Sequence, residues 1–198
     1  MLQVKNKQGC IFGLPDSGKS TLTSWILSKF GAAAIIYDTL NEYPDNPFDR
    51  YIPLNRGDVA EWEKVTRRII AARRYQVYAV DEANRYMPSK NEKGGTLPAA
   101  ARDLNDYRAH YDIGTLFLCR RPVQLNQDVT ELSNYLIIFK LDGVNDRDYL
   151  NKLCVDLGDA VLNLKPYHFI IYQKGQGFNQ FKPVPAHFAT DKKMARPS

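Results

Sequence analysis

Between Gly13 and Ser20 the chain reads Gly-Leu-Pro-Asp-Ser-Gly-Lys-Ser, the G-x-x-x-x-G-K-[ST] spacing of a loop that wraps the phosphates of a nucleoside triphosphate. Each residue type has a task there. Gly13 and Gly18 permit backbone angles that turn successive amide N–H groups toward phosphate oxygens. Lys19 supplies a point charge for the β- and γ-phosphates, and the Ser20 hydroxyl is a hard oxygen ligand for Mg2+. Asp16, Ser17 and Thr21 lie in the loop or directly after it and join the expected ATP contacts. A second chemical feature is Val77-Tyr78-Ala79-Val80-Asp81-Glu82, an apolar run ending in two carboxylates. Asp81 suits the Mg2+ shell, and Glu82 suits the polarisation of an attacking water. A water-activating glutamate points to hydrolysis rather than to phosphoryl transfer onto a small acceptor.

These groups need a strand before the loop and a helix after it. Gly9-Cys10-Ile11-Phe12 is short, apolar and strand-like. Over residues 21–30 Leu22, Trp25, Ile26 and Phe30 fall on one helical face, and Gly31 supplies a stop. Strand, loop and helix N-terminus together favour an anionic phosphate. Further strands are expected over 33–37, 77–80, 115–119, 135–141 and 168–173, with helices over 59–74, 99–111 and 147–154. This alternation predicts a mainly parallel α/β sheet flanked by helices, with ligands at the carboxyl ends of the strands. Lys174-Gly175-Gln176-Gly177, followed by a strand over 179–184, predicts a terminal antiparallel hairpin. A P-loop ATPase domain over 1–188 and a polar tail over 189–198 are the expected divisions.

The chain has 198 residues, which suits one domain burying roughly 70% of its unfolded surface. No apolar run approaches the ~20 residues of a membrane span, and the start of the chain lacks a signal-peptide pattern. Cys10, Cys119 and Cys154 lack metal spacing and read as reduced core residues of a cytoplasmic protein. A net charge of +5 suits a polyanionic partner. Arg85, Lys90 and Lys93, with Gly94-Gly95 behind them, predict a mobile basic loop able to make and release contacts with a polyanion. Helix 59–74 carries Lys64, Arg67, Arg68, Arg73 and Arg74 opposite an apolar face, the pattern of a solvated face or a subunit contact.

Four stretches together resemble the FtsK/HerA superfamily of ring-forming, DNA-translocating ATPases. They are the phosphate loop, then Asp38-Thr39-Leu40-Asn41-Glu42-Tyr43, similar to D-P-x-G-E-Y, then Asp81-Glu82-Ala83-Asn84-Arg85-Tyr86-Met87-Pro88, similar to D-E-A-H-x-[FY]-x-P. The fourth is His110-Tyr111-Asp112-Ile113-Gly114, an apolar strand, and Arg120-Arg121-Pro122, similar to H-Y-G-I-G and [ST]-Q-R-P. Thr39 and Asn41 replace the usual proline and glycine, Asn84 the usual histidine and Cys119 a hydroxyl residue. Arg120 stands where the family has a glutamine that senses the γ-phosphate; an arginine reaches phosphate with more charge.

The resemblance implies a RecA-like (ASCE) P-loop NTPase fold, ATP and Mg2+ as cofactors, double-stranded DNA as partner and a homo-oligomeric ring, hexamer or pentamer. It also implies an arginine acting across the subunit boundary, first Arg108 and second Arg102. Loops on the side of Arg85, Lys90 and Lys93 face the central channel in such rings. With only a short stretch before the first strand, the chain looks like the genome-packaging ATPases of icosahedral viruses, with capsid or portal vertex proteins as partners. Its expected place is the host cytoplasm or the virion vertex. The alternatives are a cellular or conjugative DNA-translocating ATPase, a P-loop kinase of nucleotides or small molecules, and an ATP-binding assembly protein without translocation.

Overall fold

The computed structural model of the chain describes residues 3–90 and 96–185. Its centre is an eight-stranded sheet in the order β3-β2-β4-β5-β1-β6-β7-β8. The strands are β1 (Gln8–Phe12), β2 (Ala34–Tyr37), β3 (Asp49–Tyr51), β4 (Val77–Val80), β5 (Gly114–Cys119), β6 (Tyr135–Phe139), β7 (Phe169–Gln173) and β8 (Gly177–Phe181). Pairing is parallel from β3 through to β6, and antiparallel for β6–β7 and β7–β8. The mainly parallel sheet and the terminal hairpin are therefore as expected, with β8 starting earlier than the 179–184 reading and ending at Phe181.

Both faces of the sheet are covered, so its inner strands are buried at every position rather than alternately. Helix α1 (Lys19–Ser28) packs Leu22, Ile26 and Leu27 on one face, together with Ile11, Ile36, Leu116 and Leu118. Helices α2 (Val59–Ala72), α3 (Ala99–Tyr107), α5 (Val144–Leu153) and α6 (Leu157–Leu162) cover the other, where Cys10, Phe12, Phe117 and Cys119 point. Helix α2 begins where Asp58 accepts hydrogen bonds from the amides of Ala60 and Glu61 at 2.9 and 3.2 Å, satisfying two of the helix's orphan donors. Its buried stripe is Trp62, Val65, Thr66 and Ile69, and the basic residues opposite are exposed, as a solvated face requires. Helix α3 ends at Tyr107, short of the expected 111.

Three elements carry no sequence-level signal. Strand β3 is three residues with no apolar run, and α4 (Gln127–Glu131) and α6 are five and six residues long. Cys10 and Cys119 are buried free thiols, pushed up to about 12 chiefly by burial, and Cys154 is also unpaired. The tail over 189–198 lies outside the described residues. Among the described residues no helix is long and apolar enough to cross a membrane.

The strand order matters most at the carboxyl ends. β5 lies between β1 and β4, with Cys119 opposite Phe12 and Phe117 opposite Val80. The phosphate loop, the Asp81-Glu82 pair and Arg120 therefore leave the sheet side by side.

Candidate nucleotide and hydrolysis site

The loop after β1 is shaped by its own backbone. The Gly13 amide donates to the Cys119 carbonyl at 3.3 Å and the Ser17 amide to the Leu14 carbonyl at 3.2 Å, tying the loop to β5 and closing its turn. Gly18 has φ of 104°, a conformation that side chains disfavour, and it hands the chain to α1. A side chain at Gly13 would start 2.5 Å from Ser17 Oγ and 2.9 Å from Phe139 Cβ, so the close approach also demands glycine. Lys19 opens the helix and folds back, its ammonium donating to the carbonyls of Gly13 and Leu14. Burial lowers its pKa, while the carboxylates of Asp81, Glu82 and Glu42 act the other way.

Lys19, Ser20, Glu42, Asp81, Glu82 and Arg120 line one cavity of about 250 Å³. Asp16, Gly18 and Thr21 border it too. Gly13 and Ser17 shape the loop without lining the cavity.

Asp81 and Glu82 follow β4. The Asp81 amide continues the ladder by donating to Tyr37 at 3.0 Å. Asp81 is 5% exposed, and its Oδ2 has no hydrogen-bond partner among the described residues. Burial first, then Glu42, Glu82 and Asp38, push its carboxyl up to about 7. Glu82 sits at φ 50°, a left-handed conformation that costs a non-glycine residue about 1–3 kcal/mol and concentrates at functional sites. That turn aims its carboxylate at Arg120, whose Nε donates to Glu82 Oε1 at 3.0 Å. Arg85 Nε stands 3.9 Å from Glu82 Oε2.

The motif after β2 supports this cluster. Asp38, fully buried, accepts the amides of Glu42 at 2.8 Å and Tyr43 at 3.2 Å, and meets Arg50 at 3.4 Å. Burial raises its pKa, and those amides and Arg50 offset part of the rise. The turn so formed delivers Glu42 to Ser20, whose Oγ donates to Glu42 Oε2 at 2.8 Å. The two replacements in this motif have structural accounts. Asn41 sits at φ 57°, which asparagine tolerates well among side-chain-bearing residues. Thr39 Oγ1 donates to the Asp81 carbonyl at 2.8 Å, bracing the strand end.

The remaining expected residues lie elsewhere. Lys90 is exposed and paired with Asp128 at 2.8 Å, and Lys93 lies outside the described residues. Ser89, just before Lys90, donates its amide to Gln124 at 3.1 Å, so this side of the loop is pinned beside the segment that follows Arg120. Arg108 follows α3 at the amino ends of the strands, across the sheet from the cavity. It donates to the Asn105 carbonyl at 2.6 Å and to Asn134 Oδ1 at 3.4 Å. Arg102 is exposed on α3. Pro15, Leu40, Glu42 and Tyr167 line the cavity as well: Glu42, the next candidate for a catalytic carboxylate, approaches Ser20 only through the Asp38 turn, and Tyr167 comes from the connection before β7.

No protein-family model matches the sequence, and no curated protein matches it. Solved structures do match. The genome packaging NTPase B204 of Sulfolobus turreted icosahedral virus 2, in complex with ATP-γ-S, superposes with a TM-score of 0.78 at 20% identity, covering 91% of this chain and 98% of that one. B204, the DNA-packaging ATPase of Sulfolobus turreted icosahedral virus, gives 0.77 at 20% identity over 92% and 100% of the two chains. The N-terminal domain of zonular occludens toxin from Neisseria meningitidis gives 0.54 at 14% identity over 91% and 95%. The fold is that of a P-loop NTPase, shared with these structures over nearly the full length of the chain.

Proposed function

We propose that this chain is an ATP-hydrolysing motor of the FtsK/HerA type that moves double-stranded DNA as a homo-oligomeric ring, with packaging of a viral genome as its task. The observation that carries the reading is the convergence of Lys19, Ser20, Asp81, Glu82 and Arg120 on one cavity. The shared fold with genome-packaging NTPases over nearly the full length of both chains supports it. Capsid or portal vertex proteins are the partners that task requires.

The chemistry follows from the side chains. Triphosphate oxygens compete for the Lys19 ammonium, which exchanges the carbonyls of Gly13 and Leu14 for the β- and γ-phosphates. Mg2+ fits here, because Ser20 Oγ and the unpartnered Asp81 Oδ2 are hard oxygen donors and Asp81 is crowded by carboxylates. When bound, it neutralises charge on the β- and γ-phosphate oxygens. Glu82 orients a water toward the γ-phosphorus and takes its proton as the bond to the ADP oxygen breaks. Arg120, beside Glu82, adds positive charge where the γ-phosphoryl group develops negative charge.

ATPase activity measured with and without duplex DNA, across protein concentration, tests the whole reading. Turnover that rises with both supports a DNA-coupled ring. ATP binding without DNA-stimulated turnover at any concentration identifies an assembly protein instead, and phosphoryl transfer to a nucleoside identifies a kinase.

A further inference from the structure

We infer that an apolar pocket beside the phosphate loop seats the nucleobase and holds it by stacking and burial without reading its edge, so that the chain accepts both purine and pyrimidine triphosphates as substrates. The inference rests on the nucleotide-hydrolase reading above.

The pocket has a volume of about 250 Å³ and is lined by Thr21, Phe139, Tyr167, Phe169, Pro183 and Val184. Gly18, Thr21 and Tyr167 border both it and the phosphate cavity, so the two spaces adjoin across the first turn of α1. A triphosphate held by Lys19 and Ser20 has its sugar and base directed along that turn, toward one space or the other. Tyr167 borders both, and this one adds two further aromatic walls, Phe139 and Phe169. A Cβ at Gly18 would lie 3.3 Å from Phe139 Cε1 and 3.4 Å from Tyr167 Cδ1, which places both rings against the loop itself.

The wall is built with some cost to the backbone. Tyr167 has φ 62°, and its side chain is 57% exposed. A bulky residue held in the left-handed region and left open to solvent gains nothing for the core, and such outliers concentrate where a ligand is clamped. Behind it the floor is firm: Phe139 and Phe169 have centroids 5.5 Å apart, and Phe169 stacks on Phe181 at 5.6 Å. The antiparallel hairpin β7–β8 thereby serves the site, by supplying Phe169 and the support beneath it.

What the lining lacks decides specificity. Among its side chains only the hydroxyls of Thr21 and Tyr167 carry hydrogen-bonding atoms. A hydroxyl both donates and accepts, so it satisfies an amino group or a carbonyl equally well. Pro183 brings no N–H. A site that reads a substrate with buried directional hydrogen bonds rejects the mismatch by about 10⁴–10⁵, whereas an apolar pocket separates close analogues by only roughly 10–200-fold. The contents of this pocket belong to the second kind.

The test uses the full chain with ATP, GTP, CTP and UTP, and with inorganic tripolyphosphate as a probe without a base. The expected result is kcat/KM within about tenfold for the two purines, with the pyrimidines inside the ~200-fold range of an apolar pocket. Tyr167→Ala should raise KM for every nucleotide by on the order of 5- to 100-fold, the loss of one stacking partner, while competition by tripolyphosphate is unchanged. Tyr167→Phe should restore near-normal KM. A preference for ATP over GTP beyond about 10⁴-fold, or a Tyr167→Ala variant with unaltered KM, overturns the inference and leaves the hydrolase reading standing. Failure of every nucleotide and of tripolyphosphate to bind overturns both.

Discussion

Arg120 donates through Nε to Glu82 Oε1 at 3.0 Å, so the arginine that ends β5 holds the carboxylate that ends β4. The contact exists because β5 lies between the phosphate-loop strand and β4, with Phe117 opposite Val80. In the proposed mechanism Arg120 has two anionic neighbours, the Glu82 carboxylate and the γ-phosphate. Arg120→Ala should bind ATP within a few-fold of normal and lose on the order of 10²-fold or more in kcat, the scale for removing one preorganised charge stabiliser. Arg120→Gln, a neutral donor, should keep part of that rate. Single-turnover hydrolysis at the normal rate in Arg120→Ala would show that the arginine does no more than brace Glu82.

The proposed mechanism gives Lys19 and Glu82 different parts of the reaction, so their variants should separate. Lys19→Ala should abolish ATP binding, because the phosphate charge clamp is gone. Glu82→Gln should bind ATP normally and fail to turn it over, because the amide cannot accept the water's proton. Equilibrium binding of a fluorescent ATP analogue and phosphate release measure the two effects. Near-normal hydrolysis in Glu82→Gln would move the catalytic carboxylate elsewhere, with Glu42, bonded to Ser20, the next candidate.

Much of this site was legible in the sequence because its pieces are local. The loop over 13–20 and the Asp81-Glu82 pair are contiguous signals, and each needed only a strand before it. Glu42 at Ser20 and Arg120 at Glu82 depend instead on strand order and on the Asp38 turn, which no spacing encodes. Tyr167 has no motif around it; it reaches the cavity from the connection before β7, far along the chain from the phosphate loop. The short elements failed for a plainer reason. Asp49–Tyr51 is polar at the sheet edge, where one parallel neighbour supplies the pairing, and five-residue α4 has too few turns to show a periodicity.

Asp81 makes the ligand-free chain sensitive to pH. Its folded pKa is about 7 against an ordinary 3.8. Between those values the folded chain holds a proton that the unfolded chain has released, so stability falls as pH rises through this window and levels above it. Asp81→Asn removes the buried charge and should flatten that dependence, raising the melting temperature relative to the parent at pH 8. The same variant should lose stabilisation by Mg2+ with ATP. Thermal unfolding from pH 4 to 8 reads both effects, and an unchanged slope in Asp81→Asn would place the titration on another group.

DNA binding should be mainly electrostatic. Replacing Lys90 and Lys93 together by alanine should lower affinity equally on unrelated duplexes and flatten the log–log salt dependence by about one to two units of slope. Lys90 already has Asp128 at 2.8 Å, so its gain on meeting phosphate is an exchange of partners. An affinity loss confined to one sequence, or an unchanged slope, removes this loop from the DNA path.

The last prediction concerns Arg108 as the arginine proposed to complete a neighbour's site. Arg108 is half-buried, with two hydrogen bonds to Asn105 and Asn134, and lies at the amino ends of the strands, away from its own cavity. To act it would exchange the Asn105 carbonyl and Asn134 for phosphate, whereas Arg102 stands exposed on α3 without an ion pair among the described residues. An arginine supplied in trans is worth on the order of 10³-fold or more in kcat. Arg108→Ala should therefore fold, bind ATP and hydrolyse slowly. Mixing it with Glu82→Gln gives rings in which one site combines Glu82 from one subunit with Arg108 from the next. Partial recovery of ATPase activity on mixing establishes action across the boundary. If mixed rings form and recover nothing, or if Arg108→Ala melts earlier yet turns over normally, Arg108 is a structural clamp on Asn134. The same mixing applied to Arg102→Ala then decides whether that arginine is the one that crosses.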